Sequence, residues 1–230
     1  PYYGLMEANI NGADCVISQT GFTGEKGYEI YVRDTHENAE KVWNKVLEDG
    51  EEFGLMVIAP AHHRRIAAGI LSWGQDLDHE SSPFQVNLAY QVPRNKKSDY
   101  IGKAELERQR DVMDSGEDPF KMKMVGITLG GKEITDYAPD FWLVADTDGN
   151  DMGYVTSPWW SPELETNIAL AWVPWSSSEV GTKLLVKLPD EYSVTPGEPV
   201  EGEVVDVPFR ESVNPNKREV ESAKGKDFAE

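Results

Sequence analysis

Gln19-Thr20-Gly21-Phe22-Thr23-Gly24-Glu25-Lys26-Gly27-Tyr28-Glu29-Ile30-Tyr31-Val32 is a loop punctuated by three glycines that runs into an alternating strand. Side chains in a strand point to opposite faces in turn, so Tyr28, Ile30 and Val32 share one face while Glu29 and Tyr31 share the other. Glycines at 21, 24 and 27 permit tight turns and let another group come close to the backbone. Glu29 is therefore either a solvated residue of an ordinary hairpin or an acceptor placed beside a ligand.

Outward from this stretch, residues 5–10 and 15–19 read as strands joined through Asn11-Gly12, a dipeptide suited to a type I′ turn. Residues 28–32 supply a third strand. Asp34 followed three residues later by Glu37 predicts a capping box. Ala39, Val42, Trp43, Val46 and Leu47 then recur with helical spacing, a stripe expected to lie on the sheet, and the helix closes near Gly50 or Gly54. The result is an α+β layer, an antiparallel sheet with packed helices.

Pro60 suits the first turn of a second helix reaching about residue 70. It carries His62-His63-Arg64-Arg65, the most basic cluster of the chain. Neighbouring residues on a helix point about 100° apart, and no His or Cys stands four positions on, so no metal site is expected. The cluster reads as a positive patch for an anionic tail or as a helix surface paired with acids, with Arg65 the strongest binding candidate. Asp76, Asp78 and Glu80 lack calcium-loop spacing and read as a solvated loop. A short helix over 102–112 precedes a polar linker, 113–119. Runs at 122–129, 141–145, 152–156, 168–173, 183–188 and 203–207 are separated by Gly, Pro, Asp and Ser turns, which predicts an antiparallel β-barrel or sandwich. The organisation expected is 1–112, the linker, 120–210 as the β domain, and a charged tail over 211–230 poor enough in large apolar residues to be mobile.

Composition bounds the function classes. The chain has 230 residues, 41 acidic against 22 basic, for a net charge of −19, which repels polyanions and argues against nucleic-acid binding. Dense carboxylates also keep a protein hydrated at high salt, so a salt-adapted host and an ordinary acidic cytosolic protein both fit. No apolar run approaches the roughly 20 residues of a membrane span. No basic segment followed by an apolar one opens the sequence, so no secretory signal is expected. A single cysteine, Cys15, forms no internal disulfide and suits a reducing cytoplasm. Neither a nucleophile elbow nor a phosphate-cradling loop occurs.

Five strings in register carry a resemblance. They are the opening stretch, Gly69-Ile70-Leu71-Ser72-Trp73-Gly74-Gln75-Asp76, Ser82-Pro83-Phe84, Tyr100-Ile101-Gly102-Lys103-Ala104, and Gly153-Tyr154-Val155-Thr156-Ser157-Pro158-Trp159-Trp160-Ser161-Pro162 with Asn167-Ile168-Ala169-Leu170-Ala171 behind it. Together they resemble the glycine cleavage T-protein (aminomethyltransferase) family, which includes folate-dependent demethylases. The resemblance covers about residues 4–210. It implies transfer of a one-carbon unit, methyl or aminomethyl, from a small amine, sulfonium or ether donor to tetrahydrofolate. In the glycine-cleavage branch the donor arrives on a lipoyl carrier protein. The family's glutamate at the place of Glu29 accepts from the pterin, whose ring N–H and exocyclic amino group lie side by side for a carboxylate. By the same resemblance Tyr28, Arg65, Trp73, Tyr90 and Arg210 are cofactor contacts. Aromatic rings such as Trp73 and Tyr90 suit stacking on a pterin or its benzoyl group, and also suit a plain core.

Two departures shape what carries over. The folate-contacting arginine of the glycine branch is Ala61 here, whereas Arg65 keeps its place. Together with residues 71–76 this brings the chain nearer to the branch of dimethylsulfoniopropionate demethylase. The opening motif belongs near the middle of family members, so the chain is expected to be their C-terminal portion, and the family's catalytic aspartate has no counterpart in it. A folate-binding regulatory or repair protein without transfer chemistry, and a non-catalytic interaction module built on the β domain, are the alternatives.

Overall fold

The computed structural model describes residues 3–94, 96–138 and 140–209, which form two compact units dividing between Arg65 and Ile66. Arg210 and the tail from 211 to 230 lie outside the described residues.

In the first unit β1 (Leu5–Ile10), β2 (Ala13–Ser18) and β3 (Glu29–Val32) make an antiparallel sheet in that order. Asn11 and Gly12 have φ of 51° and 82°, both left-handed, as the primed turn requires. Ile10 then faces Ala13, Ala8 faces Cys15 and Cys15 faces Val32, so the small residues of β2 sit in the middle of one face. Helix α1 (Thr35–Gly50) covers that face with Val42 and Val46, closing a small core with Ala13, Cys15, Ile10 and Val32. The expected stripe is narrower than its spacing implied. Ala39 and Trp43 are exposed, and only the Val42–Val46 row reaches the sheet. The capping box does not form either. Asp34 adopts φ 50°, ψ 51°, a left-handed conformation in which its side chain makes no capping bond, and the amides of Glu37 and Asn38 bond to the Asp34 carbonyl. The second helix, α2 (His62–Ala67), is shorter than its sequence pattern because Gly69, at φ 69°, ends it.

In the second unit, α3 (Lys103–Asp114) is followed by β4 (Met122–Leu129), β5 (Trp142–Ala145), β6 (Asp151–Ser161), β7 (Thr166–Pro174), β8 (Lys183–Val186) and β9 (Val200–Val205). These strands close into an antiparallel barrel in the order β4-β7-β6-β5-β8-β9. Of the two architectures the strand spacing allowed, the barrel is the one adopted, and closure leaves no exposed sheet edge. β6 runs through Pro158 to Ser161, beyond the end its sequence indicated. Its pairing with β5 stops at Val155, so the missing Pro158 amide leaves no gap in that ladder.

Alternation assigns the barrel two separate cores. Val125, Ile127 and Leu129 of β4, with Ala169, Ala171 and Val173 of β7, point inward and pack with Val144, Val155, Leu184, Val186 and Val204. The intervening residues Met124, Ile168, Leu170 and Trp172 point outward and pack against Ile66, Ala67, Val86 and, less deeply, Leu71, Leu77 and Leu88. β7 is thus buried on both faces, the physical reason that Ile168-Ala169-Leu170-Ala171-Trp172-Val173 is an unbroken apolar run.

Candidate functional site

Glu29 opens β3 directly opposite Ser18 of β2, and Tyr31 follows on the same face opposite Val16. The glycine-punctuated loop brings Thr20 back beside the carboxylate. The Thr20 and Tyr31 hydroxyls both donate to Glu29 Oε2, the second over 3.0 Å, and Ser18 Oγ stands 3.1 Å from Thr20 Oγ1. Two donors occupy the two lone pairs of Oε2, while Oε1 has no partner among the described residues. The carboxylate is half-buried and held at one oxygen with the other presented. The hydrogen bond from Tyr31 to Glu29, aided by the charge of that carboxylate, pushes the Tyr31 phenol above its usual range.

This arrangement fits a pterin edge. Such a ring presents neighbouring N–H donors and needs a fixed anionic acceptor with open lone pairs, which Oε1 supplies. Thr20 and Tyr31 escaped the sequence reading as site residues. Tyr31 was legible as sharing the Glu29 face, but the return of Thr20 across the loop was not.

The other residues expected at the site occupy distinct settings. Tyr28, next to Glu29, is exposed. Arg65 is buried at 2% exposure; its guanidinium lies 5.9 Å from the Phe22 ring centroid, and its Nε donates to His62 Nδ1 over 3.4 Å. Burial pushes the His62 imidazole below its ordinary range, and the Arg65 and His63 charges push the same way. Arg64 is exposed, so the basic run divides between interior and solvent and forms no common patch. A buried guanidinium packed on the ring that follows Gly21 supports the glycine loop from inside.

Trp73 and Tyr90 lie in the second unit and are exposed, at 68% and 55%. Neither is plain core. The Tyr90 hydroxyl accepts from Gln91 Nε2. Arg210 falls outside the described residues. Among the described residues no group of His, Cys, Asp and Glu is placed to hold a metal ion, and no helix is long and apolar enough to cross a membrane.

The loop before Tyr90 holds a residue that the sequence reading placed in solvent. Asp78 and Glu80 are exposed as expected, but Asp76 is 1% exposed. Its carboxylate accepts from the Ser72 amide at 2.7 Å and from the Thr156 and Ser157 hydroxyls at 2.6 Å each. Alternating acids resemble a solvated turn in sequence, and only the hydroxyl pair some eighty positions later distinguishes Asp76.

The family model described as the GCVT N-terminal domain matches residues 1–96, and the glycine cleavage T-protein C-terminal barrel domain matches residues 123–210. An aminomethyltransferase of Bacillus subtilis (strain 168) is 31% identical over 211 residues, 91% of this chain and 53% of the relative. One from Geobacillus sp. (strain WCH70) is 33% identical over 184 residues, 79% of this chain and 47% of the relative. The chain spans about half the length of the curated relatives it matches. The solved glycine cleavage system aminomethyltransferase T from Bartonella henselae superposes with a TM-score of 0.69 at 23% identity, covering 91% of this chain and 53% of that one, a likeness of fold. With both family models matched in chain order, the second on the closed barrel, this chain belongs to the glycine cleavage T-protein family.

Proposed function

We infer that this chain contributes the pterin-anchoring part of a tetrahydrofolate-dependent one-carbon transferase. The observation that carries the reading is Glu29, held through Oε2 by Thr20 and Tyr31 with Oε1 open. Tetrahydrofolate would supply the nucleophilic nitrogen that takes up the one-carbon unit. The protein's part is to orient it. Glu29 accepts the pterin N–H donors, the charge-assisted form of a hydrogen bond being the stronger one. Thr20 and Tyr31 fix the carboxylate in advance, so less ordering is left for the moment of binding. Glu29 is a positioning group and not the one that moves a proton.

The donor we propose is a small molecule carrying a methyl or aminomethyl group on nitrogen, sulfur or oxygen. For an aminomethyl donor of the glycine-cleavage kind, the partner would be a lipoyl carrier protein. The relatives are named aminomethyltransferases, which favours the aminomethyl form. Ala61 and the 71–76 string favour the methyl form. A cytoplasmic setting accords with the single cysteine, Cys15, buried and free.

Binding of 5-formyltetrahydrofolate to the intact protein, measured by calorimetry for Glu29→Ala and Glu29→Gln, tests the reading. Loss of a charge-assisted pair of this kind predicts at least about a tenfold rise in Kd. Affinity within about twofold of the parent would remove Glu29 from the site. Turnover with a panel of amine, sulfonium and ether donors then decides the donor class.

A further inference from the structure

The Asn11-Gly12 dipeptide that turns the first hairpin is also a reactive one. An asparagine side chain can be attacked by the backbone nitrogen that follows it, and glycine puts no Cβ in the way of that nitrogen. Both residues are exposed, and nothing lies within 4 Å of where a Cβ on Gly12 would stand. The reaction needs only water. The Gly12 amide gives its proton to a solvent base, its nitrogen bonds to Asn11 Cγ, and the side-chain nitrogen leaves as ammonia. The cyclic imide then takes up a water molecule and opens at either carbonyl, to aspartate or to isoaspartate, with nothing oxidised or reduced. Each product carries a new negative charge, and isoaspartate also adds a methylene to the main chain.

The folded hairpin restrains that nitrogen. Gly12 N–H donates to Asn9 Oδ1 at 2.9 Å. Asn9 in turn donates from Nδ2 to Asp14 Oδ1 at 2.8 Å. A carboxylate only accepts, so Asp14 takes the NH₂ end of the Asn9 carboxamide and leaves the oxygen for Gly12. Asn9 and Asp14 stand directly opposite each other in the β1–β2 ladder, with Ile10 and Ala13 paired between them and the turn. The ladder alone would close the hairpin, so the side-chain relay is an addition to it. Taking the proton from an N–H that serves an acceptor costs that hydrogen bond. Swinging the amide round to Asn11 Cγ also requires the two left-handed residues, at φ 51° and 82°, to leave the turn.

We propose that Asn11 is a latent deamidation site, and that the Asn9 carboxamide, aligned by Asp14, keeps it closed by holding the Gly12 amide. The consequence of opening it lies nearby. Ala13 and Cys15, just past the turn, belong to the small core under Val42, and β2 goes on to pair Ser18 with Glu29. A methylene added at residue 11 therefore works against the β1–β2 register at the start of the strand that carries β3. Modification there marks ageing of the folded chain, whatever Glu29 binds.

The test incubates the intact protein in mildly alkaline, ammonia-free buffer and follows residue 11 by peptide mapping with tandem mass spectrometry, separating aspartate from isoaspartate by chromatography. Reaction from a restrained turn tracks how often the turn opens, so the parent is expected to react at least about tenfold more slowly than the same chain unfolded in guanidinium. Asn9→Ala is expected to speed the folded protein about fivefold, and Asp14→Ala, which frees the Asn9 carboxamide to rotate, about twofold. Asn11→Gly, which suits the same turn, should gain no mass at that position. Amide hydrogen exchange covers the case in which Asn9→Ala loosens the whole hairpin. Faster exchange at Gly12 with β1 and β2 unchanged supports the relay, whereas equal acceleration along both strands overturns it. The proposal also falls if the folded parent reacts as fast as the unfolded chain, or if Asn9→Ala stays within about 1.5-fold of the parent.

Discussion

Gly153→Ala is expected to cost about 3 kcal/mol of barrel stability, because of how closely β6 and β7 approach at that point. A Cβ on residue 153 would stand 2.1 Å from the Trp172 carbonyl oxygen, 3.1 Å from its carbon and 3.3 Å from Val173 Cα. A tolerable carbon–oxygen contact needs about 3.3 Å, so the two strands must part by roughly 1.2 Å. Ladder bonds near 2.9 Å do not survive such a stretch, since hydrogen bonds are effectively lost beyond about 3.5 Å. The neighbouring Tyr154–Trp172 pair absorbs the displacement first. One buried backbone group left unpaired costs about 1–3 kcal/mol, and the overpacking itself a similar amount. The sum is a large part of the roughly 5–15 kcal/mol that holds a domain folded.

Gly126→Ala is the control. Its Cβ would meet Val207 Cγ2 at 2.6 Å and Phe209 Cζ at 2.9 Å, the ends of side chains and not backbone. Side-chain ends can swing aside, so about 1 kcal/mol is expected. Urea unfolding of both variants, followed by tryptophan fluorescence and far-ultraviolet circular dichroism, measures the difference. The reasoning is refuted if Gly153→Ala loses less than Gly126→Ala, or less than about 1 kcal/mol.

Two further outcomes concern charge. The Tyr31 phenol is raised by Glu29, so its tyrosinate absorbance should appear above the usual range in the parent and move down in Glu29→Gln. The sign follows from linkage: a raised folded value means that the contact is fully present below the unfolded pKa and is lost as pH rises through the folded one. Identical titration curves for the two proteins would show that the Tyr31–Glu29 bond is absent in solution. In α3, the hydrogen bonds from Arg108 pull the exposed Glu105 carboxyl down to about 2, with Gln109 helping. A depressed folded value means that this support is present above the ordinary carboxyl range and fades as pH falls through about 2. Carbon-13 titration of Glu105 in the parent and in Arg108→Ala should therefore separate the two midpoints, and coincident midpoints would disprove the bidentate pair.

Local sequence determined a good deal of this protein. The Asn11-Gly12 turn, the three short strands of the first unit, the Val42–Val46 row of α1 and the glycine loop before Glu29 all express rules that act within a few residues, and each reads directly from the chain. Glu29 was legible for the same reason, as a carboxylate out of place in a strand. Tertiary structure alone decided the rest. It set the barrel over the sandwich, because closure depends on β4 pairing with both β7 and β9, partners far apart in sequence. It buried Arg65 while leaving Arg64 in solvent, and it left Trp43 uncovered though its spacing matched the stripe. It withdrew Asp76 from water, while Asp78 and Glu80 stayed in it. The burial of a polar side chain depends on whether donors arrive from elsewhere in the chain, and for Asp76 they came from the Thr156–Ser157 pair, which no pattern near residue 76 announces.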